Sequence, residues 1–357
     1  MKIHHCTLLC LLVTFLLHQQ LFAQQSTTSS YQPRAYTCTY LGTGKSINVD
    51  GDITESAWQD AVWTDLFADI EGSKKPKPYL DTKAKMLWDD EYFYIAAEMQ
   101  ETHIWATFDK QDMVIFQENN FEVFIDPDGD THHYLELEIN AIGTIWDLIL
   151  TKPYSLFGTP ISAYDIKGLK KGVKLYGTNN NASDKDEKWT IEMAIPWSAI
   201  GEISHKRGKP IDGDFWKVNF SRVQWDRDIK SGKYYKQKDA ASQKDKPENN
   251  WVWSPQGVIS MHNPETWGLV IFAKSPNEKL TKSALEVDNI KMQLRKIFLH
   301  QQTFYAKHSI YTTTLPADLK QTDFEIRVLG DTFTAKYCKS RICYYIREDG
   351  RVWEKKP

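Results

Sequence analysis

The chain has 357 residues, 41% apolar and 25% charged, which is enough apolar material for a sizeable core. A formal net charge of −3 gives no electrostatic basis for binding nucleic acid or an anionic membrane surface. Aromatics are dense at 13%, with 13 Trp; most belong in a core, and the remainder offer ring faces on which the C–H faces of sugars stack.

At the start of the chain, Lys2, His4 and His5 precede an apolar run from Leu8 to Leu17, followed by Leu21-Phe22-Ala23. A basic start, a short apolar run and a small residue at the cut predict a secretory signal peptide over residues 1–23. The mature chain is then periplasmic or extracellular, with no membrane span. Residues 24–44 begin Gln-, Ser- and Thr-rich and read as a flexible leader.

From Ile47 the pattern is β. Lys83–Leu87 and Tyr92–Met99 form two strands around Asp89-Asp90-Glu91. Phe121, Val123 and Ile125 alternate with Glu122, Phe124 and Asp126; Leu135, Leu137 and Ile139 alternate with Glu136, Glu138 and Asn140. Period two puts each set on one sheet face, and the turn-forming Asp126-Pro127-Asp128-Gly129-Asp130 makes the pair a hairpin. Ile145–Leu150, Val173–Tyr176, Trp189–Ile195, Trp216–Val223 and Leu269–Phe272 are further strands, and Pro196–Ile200 is one helical turn. Many short strands with frequent turns predict a mainly β, two-sheet antiparallel sandwich over residues 45–275. The polar stretch 226–249 reads as a long mobile or ligand-facing loop. Beyond it, Leu285, Ile290, Leu294, Ile297 and Phe298 recur at helical spacing and predict a helix over 281–306. Four short strands from Phe324 to Trp353 then make a small meander, so residues 276–357 are a separate element without an assigned role. Cys38, Cys338 and Cys343 are too few and too odd for a disulfide scaffold. Cys338 and Cys343 either pair across a hairpin or remain two strand thiols.

Several stretches together resemble carbohydrate-binding module family 9 and its bacterial family 9-like relatives. They are Ile47–Trp58 (INVDGDITESAW), Leu87–Ala97 (LWDDEYFYIAA), Asn120–Asp130 (NFEVFIDPDGD), Trp189–Trp197 (WTIEMAIPW), Asn250–Gly257 (NWVWSPQG) and Pro264–Gly268 (PETWG). Their order and spacing carry the resemblance, which covers roughly residues 45–273. It implies a two-sheet sandwich, saccharide binding, bound calcium, and a terminal sugar held between two Trp rings. Phe116 stands where one of those rings is expected; Trp225, Trp251 and Trp253 are candidates for the second.

The candidate site residues follow. Glu122, Glu136, Glu138 and Asn140 share the polar faces of the hairpin and offer acceptors to sugar hydroxyls; a solvated outer face is the plainer alternative. Asp126, Asp128 and Asp130 present alternating oxygens around Gly129, as hard-cation loops do. Leu137 occupies the closing position of a full calcium loop, so a plain turn is the simpler reading there. Glu122 and Glu138 would be the catalytic pair if the chain hydrolysed glycosidic bonds, which needs two carboxylates about 5–10 Å apart. Haem ligation by Met86, Met99, Met113 or His103 is the third alternative, with no Cys-x-x-Cys-His attachment motif to support it. The sequence reading is therefore a non-catalytic, exported carbohydrate-binding protein supporting polysaccharide capture or catabolism, beside a glycoside hydrolase.

Overall fold

Alternating apolar and polar residues become strands throughout residues 33–286, the first of two compact units. The computed structural model describes residues 32–42, 44–205, 209–320 and 322–356; the expected signal peptide lies outside them. The strands are β1 (Ala35–Tyr40), β2 (Ala68–Asp69), β3 (Thr82–Trp88), β4 (Tyr92–Gln100), β5 (Asn120–Asp126), β6 (Tyr134–Asn140), β7 (Ile145–Leu150), β8 (Pro160–Ile161), β9 (Lys170–Tyr176) and β10 (Lys188–Pro196). They continue with β11 (Phe215–Gln224), β12 (Arg227–Lys230), β13 (Lys233–Lys236), β14 (Asn249–Val252) and β15 (Gly268–Ala273). Two short helices, α1 (Ser56–Gln59) and α2 (Trp197–Ile203), sit between strands.

Strand order along the main sheet is β8-β7-β6-β5-β11-β15-β1-β3-β4-β10-β9, with β14 added to β11 and β2 to β14. The sheet curls into two layers with one core between them. Phe121, Val123, Ile125, Leu135, Leu137 and Phe220 enter it from one layer; Met86, Phe93, Ile95, Ile191 and Met193 enter from the other. The sandwich is thus as expected, and the two layers meet at β1. That strand is parallel to both neighbours, pairing Ala35–Thr39 with Leu269–Ala273 and Thr39–Tyr40 with Leu87–Trp88.

Strand β1 corrects the expectation of a flexible leader through residue 44. Tyr36 and Cys38 are buried, and the intervening Thr residues are good strand formers that read as polar linker when aliphatics are absent. The stretch 226–249 is corrected as well: β12 and β13 pair as an antiparallel hairpin.

The motif residues prove to be ties within the fold. Glu192 accepts hydrogen bonds from the backbone N–H groups of Asp50 (3.0 Å) and Gly51 (2.9 Å) and from Trp58 Nε1 (2.6 Å), clamping the first motif onto β10. Gly51 has φ +91°, and a Cβ there would lie 2.5 Å from the Val173 carbonyl carbon, so only glycine fits. Asp89 similarly accepts from the N–H groups of Glu91 and Tyr92 and from the Tyr94 hydroxyl.

The second unit includes residues 287–357. Helix α3 (Glu278–His308) begins in the first unit, where Leu280 and Ala284 pack with Leu269 and Ile271. In the second unit it buries Leu294, Ile297 and Phe298. Strands β16 (Glu325–Leu329), β17 (Thr332–Lys339), β18 (Ile342–Arg347) and β19 (Val352–Lys355) form an antiparallel meander. Cys338 and Cys343 face each other across β17 and β18 and are joined by a disulfide; Cys38 is a buried free thiol. Among the described residues, no helix is long and apolar enough to cross a membrane.

Candidate functional site

The outer face of the β5–β6 hairpin gathers three carboxyl groups, Glu122, Glu136 and Glu138, in one pocket. Glu122 and Glu138 are directly opposed across the two strands, and Glu136 follows two residues along the same face. Their inward neighbours fill the core, so period two forces all three carboxylates outward. This face is not the solvated one that sequence reasoning allowed: Glu122 is 4% exposed, Glu136 6% and Glu138 1%. The segment ahead of β5 and the loop between β14 and β15 supply the cover. The resulting pocket, about 250 Å³, is lined by Phe116, Glu122, Phe124, Glu136, Glu138, Val223, Glu248, Asn250, Ile259 and His262, with Ile70, Ser260 and Met261.

Burial dominates the electrostatics. It pushes the Glu122 carboxyl up to about 7, with Glu248 adding repulsion, while Ser221 and Asn120 pull the other way. Burial raises Glu136 well above the carboxylate range, and repulsion from Glu122 adds to it. Glu138 is raised by burial first and then by Glu122 and Glu136. His262 is pushed down to about 4 by burial, which leaves it neutral at physiological pH. No Lys or Arg lines the pocket among the described residues. Asn120 is fully buried; its Nδ2 approaches Glu138 Oε2 at 3.4 Å, and its Oδ1 has no hydrogen-bond partner.

The aromatic candidates separate. Phe116 lines the pocket and is 38% exposed, so its ring offers a face. Trp225 is not a second platform: it is buried, its Nε1 donates to the Phe116 carbonyl at 2.9 Å, and Lys236 Nζ lies 3.2 Å from its ring centroid. It holds the Phe116 segment in place. Trp251 and Trp253 are also corrected, since both are 2% exposed and belong to the core. The Arg222 guanidinium lies 5.3 Å from the Trp251 ring centroid and Tyr79 meets that ring edge-on, while Trp253 packs on Tyr36 and Phe220. Asn140 is spent on structure: its Nδ2 donates to the Phe108 carbonyl and Glu118, and its Oδ1 accepts from Ile142 and Thr144. The apolar groups missed by sequence reasoning are Ile259, which is exposed, and the Tyr154–His262 ring pair with centroids 4.5 Å apart. Ile259 and His262 sit on the loop between β14 and β15, and Tyr154 in a single helical turn after β7, stretches whose sequences carry no periodic signal.

The candidate cation residues rearrange too. Asp126 accepts from the N–H groups of Gly129, Asp130 and Thr131, which locks the turn. Ligand atoms of Asp128 and Asp130 converge instead with His205, within 4.8 Å of one another. An imidazole is a poor partner for a hard cation, which prefers oxygen. Asp112, Asp147 and Asp165 form an all-oxygen group converging within the same 4.8 Å. Asp147 there is 1% exposed; its Oδ2 accepts from the Ile166 N–H, and its Oδ1 has no hydrogen-bond partner. This donor set fits calcium; the expected Asp126–Asp128–Asp130 set does not.

Met86 and Met99 are fully buried in the core, and His103 Nδ1 lies 3.0 Å from the Tyr234 hydroxyl, an arrangement that gives haem ligation no support. A second cleft, about 550 Å³, is lined by Tyr79, Thr102, His103, Lys185, Asp226, Arg227, Ile229 and Gln237. It is polar and carries charges of both signs.

A family model described as carbohydrate family 9 binding domain-like matches residues 49–274. Comparison with curated proteins finds no match. Among solved structures, the chain is similar to one from Bacteroides uniformis described as a candidate carbohydrate-binding protein, with 17% identity, 68% of this chain and 100% of that chain covered, and a TM-score of 0.49. It is also similar to a family 9 carbohydrate-binding module from Caldicellulosiruptor kristjanssonii solved with cellotriose, at 16% identity, 69% and 96% coverage and a TM-score of 0.41. The same module solved with glucose gives 17% identity, 68% and 98% coverage and a TM-score of 0.41.

Proposed function

Because the chain belongs to the carbohydrate family 9 binding domain-like family, we propose that it binds a saccharide in the Glu122–Glu136–Glu138 pocket without cleaving it. The observation that carries this reading is the pocket itself: three buried acceptors on a sheet face beside the half-open ring of Phe116. Sugar hydroxyls donate to the carboxylates, and the ring takes the apolar face of the sugar. Such a site serves capture of polysaccharide outside the cell, beside a hydrolase that cleaves it. Calcium is assigned to Asp112, Asp147 and Asp165, away from the pocket, as a tie between loops.

Hydrolysis by Glu122 and Glu138 is the second reading, and the raised Glu122 carboxyl favours it as a proton donor. Glycosidic cleavage also needs an ionised partner. Burial raises all three carboxyls, and no cation lining the pocket holds one of them ionised, so binding is the better-supported function. A glycan array followed by calorimetry tests the proposal. Saturable binding to one glycan class, weakened about tenfold by Phe116→Ala, is the expected result; a folded protein that binds no glycan, or that releases reducing ends, overturns it.

A further inference from the structure

Two carboxylates elsewhere in the fold are paired with the chain's own cations. Glu101 lies 3.1 Å from Arg222 Nη2 and 3.3 Å from Arg227 Nη2. Glu98 sits between Lys83 and Lys188 at 3.1 and 2.8 Å. The Glu122 pocket has no equivalent. Its titratable lining is Glu122, Glu136, Glu138, Glu248 and His262, and the histidine is held neutral. Beside them the Asn120 Oδ1 is one more buried acceptor without a donor. An unpaired buried acceptor is costly, and the lining supplies neither a donor for it nor a positive charge. The ligand is what remains to supply them.

Resting on the saccharide reading above, we propose that the pocket selects a sugar bearing a free amine, a hexosamine unit, over its neutral parent, and excludes uronate and sulfated units. An ammonium brings three N–H donors and one positive charge to a floor of carboxyl groups and favours their ionised form, and the resulting charge-assisted bonds are the strong ones. Acetylation removes the charge and two of the donors. A uronate adds a like charge to a desolvated acidic pocket. The pocket's size, just under the roughly 300–1,000 Å³ of drug-sized sites, accommodates one ring. A bare metal ion is the poorer occupant. The carboxylate groups that converge within 4.8 Å among the described residues lie elsewhere, at Asp112–Asp147–Asp165 and Asp128–Asp130–His205.

The test is calorimetric titration of the whole protein with a matched β-1,4-linked series: cellotriose, the glucosamine trimer, the N-acetylglucosamine trimer and the C6-oxidised triglucuronate. At pH 7 the glucosamine trimer binds at least tenfold tighter than cellotriose, the acetylated trimer no tighter than cellotriose, and the triglucuronate not measurably. The preference grows from pH 5 to pH 7 as Glu122, near 7, begins to ionise. Glu122→Gln and Glu138→Gln, each checked by thermal melting, erase the preference. Equal affinity for cellotriose and the glucosamine trimer overturns the charge selection and leaves the saccharide reading standing. Failure of every trimer overturns both. Displacement of the glucosamine trimer by millimolar calcium shows that the pocket's cation is a metal and overturns the amine assignment.

Discussion

Two buried acidic clusters lie next to the same strand and have opposite electrostatics. On one face of β11, Arg222 is 1% exposed and binds Glu101, Thr82 and Gln224. One residue earlier Ser221 points to the other face, opposite Glu122 in β5. The first cluster is closed, with carboxylate and guanidinium satisfying each other in the interior. The second is left open, with carboxylates raised by burial and a pocket above them. A fold that neutralises one cluster and leaves the other bare has kept the second for something that arrives from outside.

The largest expected effect breaks the closed cluster. Arg222→Met leaves the Glu101 carboxylate with Arg227 as its one cation partner and lowers stability by about 3 kcal/mol in urea unfolding at pH 7. A loss below about 1 kcal/mol would mean that the two clusters do not differ as argued.

The open cluster responds in the opposite direction. The folded Glu122 carboxyl sits near 7, against an ordinary 4.5. The folded state therefore holds an extra proton between those values, and stability is lost as pH rises through that window. Glu122→Gln removes this loss, gaining on the order of 2–3 kcal/mol at pH 8 and almost nothing at pH 4. Melting curves across that range measure it. His262 supplies an opposite slope in both proteins: with a folded value near 4 against 6.5, it costs stability as pH falls below 6.5. A Glu122→Gln protein less stable than wild type at pH 8 contradicts the open-cluster account.

Smaller still is the effect of calcium at Asp112, Asp147 and Asp165. Millimolar calcium raises stability by about 1–2 kcal/mol, or roughly 3–8 °C in Tm, and Asp147→Asn abolishes the shift. Asp126→Asn leaves the calcium response intact, because its carboxylate serves the turn. Scanning calorimetry with calcium and with chelator separates the two.

The strands of the sandwich were legible because period two needs only local sequence: β5 and β6 declared both their core face and their acidic face. Strand β1 was not, because Thr, Tyr and Cys beside a Ser- and Gln-rich stretch carry no aliphatic signal. The floor of the pocket was legible for the same reason as the hairpin. Its walls were not, since Ile259 and His262 reach it from a loop more than a hundred residues away in sequence. The misread Trp pair is instructive. Trp251 and Trp253 flank Val252, so alternation places both on one face, and only the fold reveals that this face is the core. Nine of the thirteen Trp are buried, and the aromatic surplus is mostly packing.

The most direct test of the central claim is calorimetric titration of the best-binding glycan into wild type and Glu138→Gln in parallel, with thermal melting to verify both folds. Glu138→Gln loses at least tenfold in affinity with the fold retained. Equal affinity in the two proteins would contradict that claim, and would move the sugar away from the bare carboxylates to another surface, such as the cleft lined by Tyr79, His103 and Arg227.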